Sequence, residues 1–204
     1  MRREKQTIDY YDRNAERWVL SHGGGEGKSY WKEEISRFGE LLLPGSKILE
    51  IGSGGGLEAA ELVSMGYDYT GVDASQGLLK VARKRNPEAI FIHSRVEDLD
   101  FPESNFDGFW TAATLLHIPK NKIDRVLEII KKQLRPGGIG FISLKQGEGE
   151  AIDEPNGRLF AYYTQSEFSD VLKRNGFEVL ESKIRLTEGE TTWLVFYVKT
   201  LTKP

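Results

Sequence analysis

Cysteine is absent from the 204-residue sequence, which excludes disulfide bridges, thiolate nucleophiles and cysteine-ligated metals and agrees with a reducing compartment. An excess of basic charge is missing too: 28 Lys and Arg stand against 31 Asp and Glu, for a formal net charge of −3. Binding a phosphate backbone needs clustered cations, so nucleic acid is not expected as a partner. The short basic runs Arg83-Lys84-Arg85 and Lys131-Lys132 fall at the ends of helical patterns, where cations complement the helix dipole. No stretch approaches the roughly 20 apolar residues of a membrane span, and the first eleven residues lack the apolar core of a signal peptide. These absences lead to the expectation of a cytoplasmic protein, monomeric or homodimeric, that neither enters a membrane nor holds a metal. Hydrophobic residues, at 39%, suffice for one sizeable core over this length.

What is present alternates between two periodicities. Ile8, Tyr11, Ala15, Trp18 and Val19 recur at helical spacing between Thr7 and Leu20, and a glycine-rich patch at 22–27 follows, which reads as a flexible joint. Residues 1–28 are therefore expected to form an N-terminal helix with a flexible lid segment, and 29–204 the main domain. Within that domain a helix at 30–42 precedes an apolar strand, Lys47 to Ile51. Then come a helix at 56–65, a strand at 67–72, a helix at 75–85, strands at 89–93 and 106–111, a helix at 120–134 and a strand at 139–144. Strands alternating with helices of this length predict a parallel sheet with helices on both faces. Beyond Lys145 a polar loop (146–158) leads to a helix at 165–174. Two β-rich runs, 177–186 and 192–200, are joined by Thr187-Glu-Gly-Glu190, a connection suited to an antiparallel hairpin.

The densest chemical signal is Glu50-Ile-Gly52-Ser53-Gly54-Gly-Gly56, at the carboxyl end of the first parallel strand and opening a helix. In doubly wound sheets ligands sit outside the carboxyl ends of the strands, where glycine lets the backbone come close and the next helix offers free N–H groups. Asp73 ends the second strand about 20 residues on, where an acid accepts both ribose hydroxyls. Gly54-Gly-Gly56-Leu-Glu-Ala59 also fits the nicotinamide fingerprint G-x-G-x-x-A. Against that frame stand its start two residues late after the strand, the terminal hairpin in place of a second mononucleotide half, and the acid Glu50 within the strand.

With these residues in view, the span from Ile48 to about Leu144 resembles the class I S-adenosylmethionine-dependent methyltransferases, near the small-molecule type. The resemblance is carried by Ile48-Leu-Glu-Ile-Gly-Ser-Gly-Gly-Gly56, Thr70-Gly-Val-Asp-Ala-Ser75, Val96-Glu-Asp-Leu-Asp-Phe-Pro102 running on through Phe106-Asp107, and Leu134-Arg-Pro-Gly-Gly138. It implies a Rossmann-like α/β fold, a seven-stranded mostly parallel sheet with a C-terminal antiparallel hairpin and helices on both faces. It further implies S-adenosyl-L-methionine as cofactor and a small-molecule acceptor methylated at oxygen or nitrogen. By the same resemblance Glu50, Gly52, Ser53, Gly54 and Gly56 surround the methionyl end and Asp73 holds the ribose diol. Ala74 lines the adenine pocket, Val96 offers its N–H to the ring, and Thr111 and Ala112 pass beneath the sulfonium. Where the family usually has Asp or Asn before Val96 this chain has Arg95, so Glu97 or backbone carbonyls would meet the adenine amino group.

If the acceptor must lose a proton, His117, following the fourth strand, is the candidate general base; His22 and His93 are read as incidental. Tyr11 is expected to close over the cofactor, with Tyr10, Trp18, Arg158, Phe160, Tyr162 and Tyr163 as further walls. Methylation of a protein side chain, a nicotinamide-dependent reductase and a cofactor-holding protein without catalysis are the competing readings.

Overall fold

A computed structural model describes residues 2–22, 30–154, 156–186 and 191–201. The chain runs through α1 (Arg2–His22), α2 (Lys32–Glu40), β1 (Lys47–Ile51), α3 (Leu57–Ser64), β2 (Asp68–Asp73), α4 (Gln76–Arg85), β3 (Ile90–His93), β4 (Phe106–Ala112), α5 (Ile123–Gln133), β5 (Leu134–Lys145), β6 (Glu150–Asp153), β7 (Arg158–Ala161), α6 (Gln165–Arg174), β8 (Phe177–Leu186) and β9 (Thr192–Thr200). The expected sheet is there: seven strands in the order β3-β2-β1-β4-β5-β9-β8. The first five are mutually parallel, and β9 pairs antiparallel with both β5 and β8. None of the helices described is long and apolar enough to cross a membrane.

The central strands are apolar on both faces because helices cover both. Ile48, Leu49, Phe109, Trp110, Phe141 and Ile142 are fully buried, as expected of parallel strands between helical layers. One face packs Leu49, Phe109 and Ile142 against α5 and α6, the other Ile48, Trp110 and Phe141 against α2, α3 and α4. Neighbours in register settle the fine packing. Trp110 and Phe141 are partners across β4 and β5 and stack with ring centroids 3.7 Å apart. Their neighbours Phe109 and Gly140 are also partners, and a β-carbon on Gly140 would fall 2.0 Å from the Phe109 ring. Helix starts carry real caps: Ser75 Oγ accepts from Leu78 N at 3.1 Å and Thr164 Oγ1 from Glu167 N at 3.1 Å, each satisfying one otherwise open N–H. Glu34 of α2, with no exposed surface, holds Lys183 (3.2 Å) and Arg185 (2.7 Å) of β8 and so ties the terminal hairpin to the body.

Three expectations about elements are corrected. The N-terminal helix is longer than residues 7–20, spanning Arg2–His22, so His22 belongs to the helix; 23–27 of the glycine patch lie outside the described residues. The loop assigned to 146–158 contains β6, which with β7 makes a separate two-stranded antiparallel sheet. The stretch 120–134 opens as a single 3₁₀ turn before α5, and β5 begins at Leu134, five residues ahead of the apolar run, with a register irregularity against β4. The hairpin connection 187–190 lies outside the described residues.

Candidate active site

Strand order reverses between β1 and β4, whose crossovers leave in opposite directions. That is the position where an open α/β sheet leaves a crevice outside its carboxyl ends. A cavity of about 630 Å³ occupies it, roofed by α1 through Tyr11, Trp18 and His22 and floored by the turns that follow β1, β2 and β4.

The turn after β1 is built for close approach. Gly52 and Gly54 have φ of +75° and +51°, a region that β-carbons disfavour. A side chain on Gly52 would strike Thr114, while one on Gly54 would project toward Trp18 across the cavity, 4.0 Å away. Between them the Ser53 hydroxyl is buried and has no hydrogen-bond partner among the described residues. Asp73 faces this turn. Its Oδ2 accepts from Gly54 N at 2.8 Å and its Oδ1 from Ser75 N at 2.7 Å, which fixes the carboxylate plane and leaves lone pairs directed into the cavity. Burial pushes the Asp73 carboxyl up to about 6, although both backbone N–H bonds oppose the shift. A fixed acid, an orphan hydroxyl and a glycine cradle fit a nucleoside whose vicinal hydroxyls meet Asp73 and whose polar tail follows the turn.

Ala74, Val96 and Glu97 form the neighbouring wall with Ser94 and Arg95. Arg95 is turned aside: its Nη2 binds Glu97 Oε1 at 3.0 Å and lies 3.8 Å from Glu4 of α1. Lys122 adds a 2.5 Å bond to the same Glu4 and stands 3.8 Å from Glu97. One Glu97 oxygen is therefore engaged with cations, and the network anchors the start of α1 over this wall.

His117 lies at the opposite side. Its Nδ1 is 2.6 Å from the Leu159 carbonyl, which only accepts, so Nδ1 carries the proton and Nε2 accepts from the Tyr11 hydroxyl at 2.9 Å. Burial lowers His117 to about 4 and raises the Tyr11 phenol, so at neutral pH a neutral imidazole receives a neutral phenol. In this arrangement the imidazole nitrogen that a general base would use, Nε2, is engaged with the Tyr11 hydroxyl of the roof helix. Two bonds from Asp12 Oδ1, accepting from Ser75 Oγ and Gly77 N at 2.8 Å each, fix the middle of α1 to the start of α4.

Ten of the thirteen candidate site residues border the cavity: Tyr11, Gly52, Ser53, Gly54, Asp73, Ala74, Val96, Glu97, Ala112 and His117. Three do not. Glu50 is buried beneath the glycine turn, where it accepts a short hydrogen bond from the Tyr69 hydroxyl and burial holds its carboxyl well above the usual range. Gly56 caps α3 and Thr111 is sealed in the sheet; at that level Ala113 and Thr114 border the cavity instead. Of the expected walls Trp18, Arg158 and Phe160 are confirmed as lining, whereas Tyr10, Tyr162 and Tyr163 are not on the cavity. His22, read as incidental, does line it, stacked on Trp18 at 4.4 Å. Sequence reasoning missed Asp12, Lys145 and Trp193. For Lys145 a signal existed, since a charge closing an apolar parallel strand at its carboxyl end repeats the pattern of Asp73.

Comparison with known proteins agrees with this architecture. Residues 49–142 match the model of the methyltransferase domain family. An uncharacterized methyltransferase of Synechocystis sp. is 32% identical over 98 residues, 48% of this chain and 46% of that protein. A ubiquinone biosynthesis O-methyltransferase of Xanthomonas campestris pv. campestris is 29% identical over 106 residues, 50% and 44% of the two chains. The chain thus spans less than half the length of these relatives in alignment. Among solved structures, the 1,6-didemethyltoxoflavin-N1-methyltransferase of Burkholderia thailandensis, with bound 1,6-didemethyltoxoflavin and S-adenosylhomocysteine, superposes with a TM-score of 0.81 at 19% identity, over 97% of this chain and 88% of that one. The chain therefore shares its fold with this methyltransferase.

Proposed function

We propose that this protein transfers a methyl group from S-adenosylmethionine to oxygen or nitrogen of a small molecule. The observation that carries this reading is Asp73, held by the N–H groups of Gly54 and Ser75 beside the orphan Ser53 hydroxyl. Asp73 would accept from both ribose hydroxyls, Ala74 and Val96 would flank the adenine, and Ser53 with the Gly52–Gly54 backbone would hold the methionyl end. When bound, the cofactor supplies an electrophilic methyl on a sulfonium sulfur.

The chain's own task is then alignment and exclusion of water. Orienting two reactants in line supplies on the order of 7–11 kcal/mol of a barrier, and dispersing charge gains from a largely apolar chamber once water is excluded. Tyr11 and His117 act as positioning residues that latch α1 over the site, so we assign residues 1–28 the role of a lid. A concave chamber of about 630 Å³ beneath α1 has the size of a small-molecule site, which supports a small acceptor.

The test is calorimetric. S-adenosylhomocysteine should bind with micromolar affinity and NADH should give no heat; binding of NADH alone would turn the assignment to a reductase. Transfer of tritiated methyl to any member of a phenol and amine panel then separates an enzyme from a protein that only holds the cofactor.

A further inference from the structure

Two cations stand in the part of the cavity that the nucleoside side leaves over. Lys145 closes β5 and Arg158 opens β7, so the sheet and the small hairpin converge on one corner. Both lie against a single ring: Lys145 Nζ is 4.3 Å and Arg158 Cζ 5.2 Å from the Phe160 centroid. The donors of these cations are only partly used. Arg158 gives Nε and Nη2 to Asp153 Oδ2, at 3.0 and 2.5 Å, which leaves Nη1 with a long 3.4 Å approach to the Tyr11 hydroxyl. Among the described residues no carboxylate lies within ion-pair distance of Lys145 Nζ, and no acceptor takes its hydrogen bonds. Asp153 offsets one charge of the pair, and the other remains uncompensated in a half-buried position, which is costly without a counterion. Burial and the neighbouring Arg158 both lower the Lys145 ammonium from its ordinary range.

Glu4 and Glu97 are engaged with Arg95 and Lys122, and Asp73 with the glycine turn. The remaining walls here are aromatic: Phe160, Trp193 and Trp31. We infer that the methyl acceptor is a small aromatic or otherwise planar molecule bearing an anionic oxyacid group, a carboxylate or a phosphate, which Lys145 Nζ and Arg158 Nη1 bind away from the atom that is methylated. This rests on the methyltransferase reading of the same cavity and narrows its substrate class.

The experiment uses the full chain saturated with S-adenosylhomocysteine and titrates benzoate, phenyl phosphate and the neutral benzyl alcohol as probes. Charge-assisted hydrogen bonds in a desolvated corner should make at least one anion bind about tenfold more tightly than the alcohol, and which anion leads identifies the oxyacid. Lys145→Met should abolish the preference and Lys145→Arg should retain most of it, with S-adenosylhomocysteine affinity unchanged in both; that affinity also reports that the variants are folded. Equal binding of the three probes, failure of all three, or an anion preference that survives Lys145→Met overturns the inference while the cofactor reading stands. Anion binding without S-adenosylhomocysteine binding would leave the cationic subsite and remove the methyltransferase.

Discussion

Asp73 and His117 are the two residues whose protonation the fold changes most usefully, and they change it in opposite senses. Burial raises Asp73 from 3.8 to about 6, so the native state binds a proton more readily than the unfolded chain between those values. In that window acidification stabilises through Asp73, by at most about 3 kcal/mol. His117 falls from 6.5 to about 4; there the unfolded chain binds more protons, and stability present above pH 6.5 is lost as pH falls toward 4, again by at most about 3 kcal/mol. The two slopes nearly cancel. Asp73→Asn should therefore show a steeper loss of stability between pH 6 and 4 than the parent, measured by denaturant unfolding at half-unit intervals. The same variant bears on the site. If an ionised Asp73 accepts from the ribose diol, S-adenosylhomocysteine affinity should fall about tenfold for each pH unit below 6 in the parent and stay flat, at a weaker level, in Asp73→Asn.

Among the elements α1 is the one most exposed to a single substitution. Its carbonyl at Asp12 would lie 2.6 Å from a β-carbon placed on Gly77, so this glycine sets how closely α1 and α4 cross. Gly77→Val should lift α1: amide exchange in residues 8–20 speeds up, S-adenosylhomocysteine binds about tenfold less tightly, and the midpoint of core unfolding stays within a degree or two. Tyr11→Phe makes a milder lesion, removing the bond to His117 at a cost of about 1 kcal/mol, visible as faster exchange at the same amides. The elements themselves were legible to differing degrees. Strands β1, β2 and β4 announce themselves as largely apolar runs ending at glycine, acid or alanine, because burial on both faces favours apolar side chains. β6 and β7 did not, since four-residue strands with charged ends, Glu150–Asp153 and Arg158–Ala161, have too little periodicity to separate from a loop. In the site, Gly52, Gly54 and Asp73 could be read from their place at strand ends. Asp12 could not: it is one of several acids in an amphipathic helix until α1 is seen to cross α4.

For the molecule as a whole, the seam between β4 and β5 leaves no space for an added methyl group. Gly140 of β5 is bordered by the Phe109 ring, and Gly140→Ala should cost about 1–3 kcal/mol through overpacking, lowering the melting temperature by several degrees. Ligand should act in the other direction. S-adenosylhomocysteine at a hundred times its dissociation constant should add about 2.7 kcal/mol, a rise of roughly 5–10 °C in a thermal melt, whereas NADH at the same concentration should leave the curve in place.

Ser75 serves two masters: its backbone N–H holds Asp73, and its hydroxyl reaches Asp12 on the roof. Whatever tightens Asp73 in place also steadies the crossing helix, so one small side chain ties the acid at the cavity floor to the helix that roofs it.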